Sequence, residues 1–103
     1  MVGQMVKNMN PGVYILQSLK NTRYYVGSTA DKGKRLLEHN AGKVKATRLW
    51  CPFVIKAFIS CSSITEAKRS ELRLKRYKSR KVLEKVIKDL TFPWDYNGRL
   101  AQR

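Results

Sequence analysis

Gly12-Val13-Tyr14-Ile15-Leu16-Gln17-Ser18, followed after Leu19-Lys20-Asn21-Thr22 by Arg23-Tyr24-Tyr25-Val26-Gly27, is the stretch from which the fold is read. Two short apolar runs, each setting a tyrosine beside a glycine, flank a polar turn-like segment around Asn21; this is the pattern of two antiparallel strands. Strands are expected at Val13 to Ser18 and near Arg23 to Gly27. Alternation puts Val13 and Ile15 on one face and Tyr14 and Leu16 on the other, with Tyr25 and Gly27 opposite Tyr24 and Val26. Each strand therefore offers one tyrosine to a cleft.

Beyond the hairpin, Ser28-Thr29-Ala30-Asp31 reads as a helix start with Thr29 or Asp31 as N-cap, and Leu36 and Leu37 as the buried stripe. Arg35 and His39 stand four apart on that helix and leave it on one face. Gly42 suits the left-handed residue that closes many helices. Lys43 to Trp50 reads as an exposed basic loop. After Pro52, the nearly continuous apolar run Phe53 to Ile59 predicts a strand covered on both sides. Ser62 or Ser63 caps a helix whose inward stripe is Ile64, Ala67 and Leu74, with the carboxylate of Glu71 on the same stripe. Lys81 to Leu90 gives a helix with Val82, Leu83, Val86, Ile87 and Leu90 on one face, and Phe92-Pro93-Trp94 is an aromatic stop. Met1 to Asn10 is expected as a loose leader and Asp95 to Arg103 as a polar tail. Strand, strand, helix, strand, helix, helix is a small α+β domain in which the third strand can join either edge of the hairpin.

The chain of 103 residues is read as a single domain with its core at about residues 11 to 90. Lys and Arg outnumber Asp and Glu 22 to 7, a formal charge of +15. Such an excess repels itself unless an anion is near, so nucleic acid is the first partner expected. A membrane surface is disfavoured, because the basic residues are spread along the chain and there is neither a long apolar run nor a basic helix with a Trp/Phe/Leu face. Cys51 and Cys61 are too few for a disulfide framework and lack the paired spacing of a zinc site. On one extended strand their Cα atoms would lie roughly 30 Å apart, beyond the reach of a bridge. Reduced thiols and a cytoplasmic location follow as expectations.

With these residues in view, the chain resembles the GIY-YIG nuclease superfamily, in particular its small stand-alone members related to the catalytic module of the nucleotide-excision-repair nuclease. Gly12-Val13-Tyr14 and Tyr25-Val26-Gly27 stand for the two naming tripeptides, each with valine in place of isoleucine. Arg35 resembles the family's helix arginine, His39 falls where members often carry histidine, Gly42 to Thr47 looks like the basic loop of the small members, and Glu71 falls where the metal-binding glutamate lies. The resemblance covers about residues 11 to 90. It implies a three-stranded antiparallel sheet with the first strand central, flanked by helices, and hydrolysis of a nucleic-acid phosphodiester with one divalent metal. Many members add a late asparagine; the only late one here is Asn97, which stays unassigned.

On that resemblance the expected activity is a metal-dependent endonuclease using Mg2+ or Mn2+, with DNA ahead of RNA. Tyr14 is the expected general base and Tyr25 positions water or phosphate. An unperturbed phenol, with pKa near 10, is a poor base at neutral pH unless cations favour the phenolate, and Arg35 is one such cation. Arg35 is also expected to hold a non-bridging phosphate oxygen. His39, the sole histidine, either hydrogen-bonds the base, shuttles a proton, or merely packs or contacts phosphate. Glu71 is the expected metal ligand, since magnesium takes hard oxygens and often only one or two carboxylates; its rival role is a salt bridge. Lys75 supports the same site, Lys43, Lys45 and Arg48 suit phosphate contacts, and Trp50 either stacks a base or covers the core. The alternative to catalysis is a nucleic-acid-binding module that keeps the fold. A protein partner or a homodimer is left open.

Overall fold

Every residue from Gly12 to Leu16 is buried, which a strand achieves only when both of its faces are covered. The computed structural model describes residues 10–95, and in it this segment is the middle strand of a three-stranded antiparallel sheet. β1 (Gly12–Ser18) pairs on one side with β2 (Tyr24–Thr29) and on the other with β3 (Phe53–Ser60), in the order β2-β1-β3. α1 (Lys32–Asn40) covers one face of the sheet, while α2 (Ile64–Lys75) and α3 (Arg80–Asp89) cover the other. This is an α+β fold with the first strand central.

The alternation of β1 divides the core. Val13 and Ile15 join Val26, Ala57, Ala67, Leu74, Val86 and Phe92 beneath α2 and α3. Tyr14 and Leu16 join Phe53, with Tyr25, Leu36 and Trp50 packed around them, on the side of α1. Each large side chain fully removed from water contributes roughly 1.5–3 kcal/mol, so β1 carries a disproportionate share of the stability.

β3 differs from the doubly covered strand that its apolar run predicts. It is an edge strand, with Val54 37 % exposed and Lys56 exposed. The run looks continuous because the register slips: Ile15 faces Ala57 but Leu16 faces Ile55, so Lys56 is an extra residue. Phe53 and Ile55 therefore point into the Tyr14 layer, whereas Ala57 and Ile59 point into the Val13 layer. A bulge has converted alternation into an apparent apolar run.

The caps explain where the helices stop and start. Asp31 accepts from the Lys34 N–H, and α1 ends with Gly42 N–H on the His39 carbonyl and Lys43 N–H on the Glu38 carbonyl. That Schellman closure uses Gly42 at φ 75°, the conformation expected of it. Ser63 caps α2 and Ser79 caps α3. Three expected core positions are not core: Leu37 is 71 % exposed, Ile64 41 % and Leu90 55 %. Leu37 lies on the outer face of α1, Ile64 is the first residue of its helix, and Leu90 takes the left-handed conformation that terminates α3. Both cysteines are free, as expected. Among the described residues no helix is long and apolar enough to cross a membrane. The expected leader and tail, with Asn97, lie almost wholly outside the described residues.

Candidate active site

The register of the hairpin builds the first part of the site. Tyr14 stands opposite Gly27, and a Cβ on Gly27 would fall into the Tyr14 phenol ring. Gly27 is thus needed for close approach, since its backbone is ordinary strand. The missing side chain lets the Tyr14 ring lie flat across β2, which directs its oxygen toward α1.

There it meets two residues one helical turn apart. The Tyr14 oxygen lies 2.8 Å from His39 Nε2, and Arg35 donates to it from Nε at 3.3 Å. Arg35 also donates from Nη1 to Glu38 at 2.9 Å, leaving the rest of its planar fork to an anion. His39 is wholly buried, with ring edges of Tyr14, Tyr25 and Phe53 around it at centroid distances of 5.6, 5.2 and 5.8 Å. The neighbouring Asn40 fixes the end of α1 to β3, accepting from the Phe53 N–H at 2.6 Å and donating to its carbonyl at 3.2 Å.

The electrostatics follow from burial. Loss of hydration pushes the His39 pKa down to about 4, assisted by the Arg35 charge and opposed by Glu38, so the ring is neutral at pH 7. Burial likewise pushes the Tyr14 phenol above its ordinary value; the hydrogen bond and charge of Arg35 pull the other way, while Tyr25 and Glu71 add to the rise. Ionising Tyr14 therefore depends on cations nearby.

The carboxylate lies across β2. Ser28, directly after the second tripeptide, donates to Glu71 Oε1 at 2.6 Å, and Lys75 Nζ donates to Oε2 at 2.6 Å. Glu71 is only 14 % exposed, as its inward position on α2 suggests. The Lys75 ammonium also sits 5.4 Å over the Tyr25 ring, and that ring is 6.4 Å from Tyr14, so the two halves of the site meet at the tyrosine pair. An open cleft of about 380 Å³ runs between residues 28–31 and Lys34, Arg35 and Glu38, giving a ligand access to Ser28 and to the arginine. The described residues hold no cluster of three or more His, Cys, Asp or Glu side chains fit for a metal. Glu38 is engaged by Arg35 and Asp31 caps α1, which leaves the Glu71 carboxylate with the Ser28 hydroxyl beside it. That donor set fits a hard divalent ion which keeps most of its waters, provided that the 40 % exposed Lys75 swings away.

Tyr14, Tyr25, Arg35, His39 and Glu71 thus lie around one region, as the sequence reading required. Lys75 is in the site too, but paired to Glu71. Lys43, Lys45 and Arg48 are exposed on the segment between α1 and β3. That segment is not the simple exposed loop expected of it: Thr47 is wholly buried, with Oγ1 2.7 Å from His39 Nδ1, and Trp50 is half-buried in the Tyr14 layer. Trp50 covers the core, with the Arg23 guanidinium 5.2 Å over its ring. Sequence reasoning missed Thr47, Ser28 and Glu38. The place of Ser28 next to the tripeptide was a usable signal; a threonine among lysines gave none.

The family model described as "GIY-YIG catalytic domain" matches residues 10–97. A UPF0213 protein of Halobacterium salinarum is 40% identical over 65 residues, 62% of this chain and 83% of that protein. No solved structure matches.

Proposed function

The chain belongs to the GIY-YIG catalytic-domain family, a family of nucleases, and on that footing we propose that it is a divalent-metal-dependent endonuclease acting on DNA. The observation that carries the reading is the cluster of Tyr14, His39 and Arg35, the first two buried, joined through Tyr25 and Lys75 to the carboxylate of Glu71, with a cleft opening onto Arg35 and onto Ser28 beside Glu71.

Phosphodiester hydrolysis needs a water deprotonated in line with the leaving oxygen, together with stabilisation of the charge that builds on phosphate. Tyr14 takes the proton of the attacking water. Arg35 has two tasks: its Nε–H favours the phenolate, and the remainder of its fork holds a non-bridging oxygen. Tyr25 borders the water and the phosphate. His39 holds the Tyr14 oxygen from the interior side and remains neutral while it does so. Glu71 would hold Mg2+ or Mn2+, oriented by Ser28 and released from Lys75; a bound ion there supplies Lewis-acid stabilisation of the phosphate and leaving oxygens. Lys43, Lys45 and Arg48 supply sequence-independent attraction for the backbone.

The test is cleavage of single-stranded, duplex, flapped and branched DNA beside matched RNA, with and without metal. Glu71→Gln, which keeps the shape of the side chain and removes its charge, should lower the rate by about 10²-fold or more while duplex binding persists. Equal cleavage by the variant would overturn the role of Glu71. Salt-sensitive binding with no cleavage of any substrate would leave a binding module that retains the fold.

A further inference from the structure

Four polar groups meet in the interior of the site: the Thr47 hydroxyl, the His39 ring, the Tyr14 phenol and the Arg35 guanidinium. His39 Nδ1 lies against Thr47 Oγ1 and Nε2 against the Tyr14 oxygen. A neutral imidazole carries one ring proton, so two arrangements are available. With the proton on Nδ1, Thr47 accepts it and the hydroxyl hydrogen of Thr47 must find a second partner. Thr47 is wholly buried, and among the described residues its side chain bonds to His39 alone. A buried donor without an acceptor bears its full desolvation cost.

With the proton on Nε2 the interior end of the chain of bonds closes at Thr47. Thr47 O–H donates to the Nδ1 lone pair, and His39 Nε2–H and Arg35 Nε–H both donate to the Tyr14 oxygen. One hydrogen, the phenolic proton, is left over here too, but ionisation of the base removes it, whereas the Thr47 hydrogen of the first arrangement has no such exit. We propose that Thr47 is a positioning residue: by donating to Nδ1 it holds His39 as the Nε2–H tautomer, so that His39 is a hydrogen-bond donor to Tyr14 and not the acceptor of its proton. This rests on Tyr14 being the base and deepens that role. The phenolate is then held by two N–H groups, as an oxyanion is. As the water oxygen attacks phosphorus, its O–H bond breaks and the proton forms a new O–H bond on Tyr14. It goes no further inward, because the His39 nitrogen facing Tyr14 already carries a proton.

His39 is the sole histidine of the chain, so 15N-histidine labelling gives one pair of ring-nitrogen signals, and the two nitrogens resonate far apart according to which bears the proton. The full chain at pH 7, without substrate, should show Nε2 protonated and Nδ1 bare. Thr47→Val, nearly isosteric but without the hydroxyl, should move the bare Nδ1 signal; Thr47→Ser should restore it. In cleavage, Thr47→Val should lower kcat about tenfold or more with KM within about threefold, and Thr47→Ser should stay within about threefold of the parent. A proton on Nδ1 in the parent chain, or wild-type kcat in Thr47→Val, overturns the proposal. The spectra do not depend on activity: a chain that shows Nε2–H but cuts no nucleic acid supports the tautomer and sinks the nuclease reading.

Discussion

His39 offers the sharpest measurement, because it is a single titrating group with no other histidine to confuse it. In the folded chain burial lowers its pKa to about 4, whereas an unfolded chain leaves it near 6.5. Between these values the unfolded state binds one proton that the folded state refuses, so stability rises with pH across the window. The contribution is complete above about pH 6.5 and is lost as pH falls toward about 4. A gap of about 2.5 units at 1.36 kcal/mol each amounts to about 3 kcal/mol, a large fraction of the roughly 5–15 kcal/mol that holds a domain together. For a domain of this size that is about 10–25 °C in Tm. Urea unfolding at half-unit steps from pH 7 to 4.5 should show a slope that is steepest, at about 1.2 kcal/mol per unit, near about pH 5.3, midway between the two pKa values. His39→Gln, which keeps a polar group facing Thr47 and Tyr14, should flatten the slope even if its stability at pH 7 is lower. Carboxylates such as Glu38 and Glu66, whose pKa values are lowered by Arg35 and Ser62 respectively, act at lower pH. If the parent and His39→Gln lose stability in parallel from pH 6.5 to 4.5, burial does not hold His39 neutral.

Three further outcomes follow from the packing and charge. Gly27→Ala places a methyl group in the Tyr14 ring, so it should cost about 1–3 kcal/mol of stability by urea titration and abolish cleavage by turning the base aside; a stable and active variant would show that the Tyr14 ring does not lie against Gly27. Arg35→Lys keeps a cation but loses both the Nε–H bond to Tyr14 and the fork, and cleavage assays should show a loss of about 10²-fold or more, against little change if charge alone mattered. Replacing Lys43, Lys45 and Arg48 together by Gln should flatten the slope of log K against log salt for duplex DNA by about 2–3, measured by fluorescence anisotropy; an unchanged slope places the DNA elsewhere.

Local patterning carried most of the architecture. The two tyrosine-glycine tripeptides, with a polar turn between them, specify a hairpin because strand side chains alternate and glycine marks a close approach. The i, i+4 spacing of Arg35 and His39 puts them on one face of a helix, and the inward carboxylate of Glu71 is visible as a break in an apolar stripe. Charge alone pointed to a polyanion. Tertiary structure decided what no local pattern encodes. β3 reads as a buried strand but lies at an edge, because the bulge at Lys56 is a matter of pairing with β1 and leaves no mark in composition. Ser28 closes on Glu71 by proximity in space, whereas the Lys75–Glu71 and Arg35–Glu38 pairs are one-turn neighbours on their own helices. The clearest case is Thr47. In sequence it is a small polar residue among lysines; in the fold, closure of α1 at Gly42 and the return into β3 bury it against the far nitrogen of His39. A hydrogen bond depends on where two distant backbones meet, and that meeting is set by the whole core.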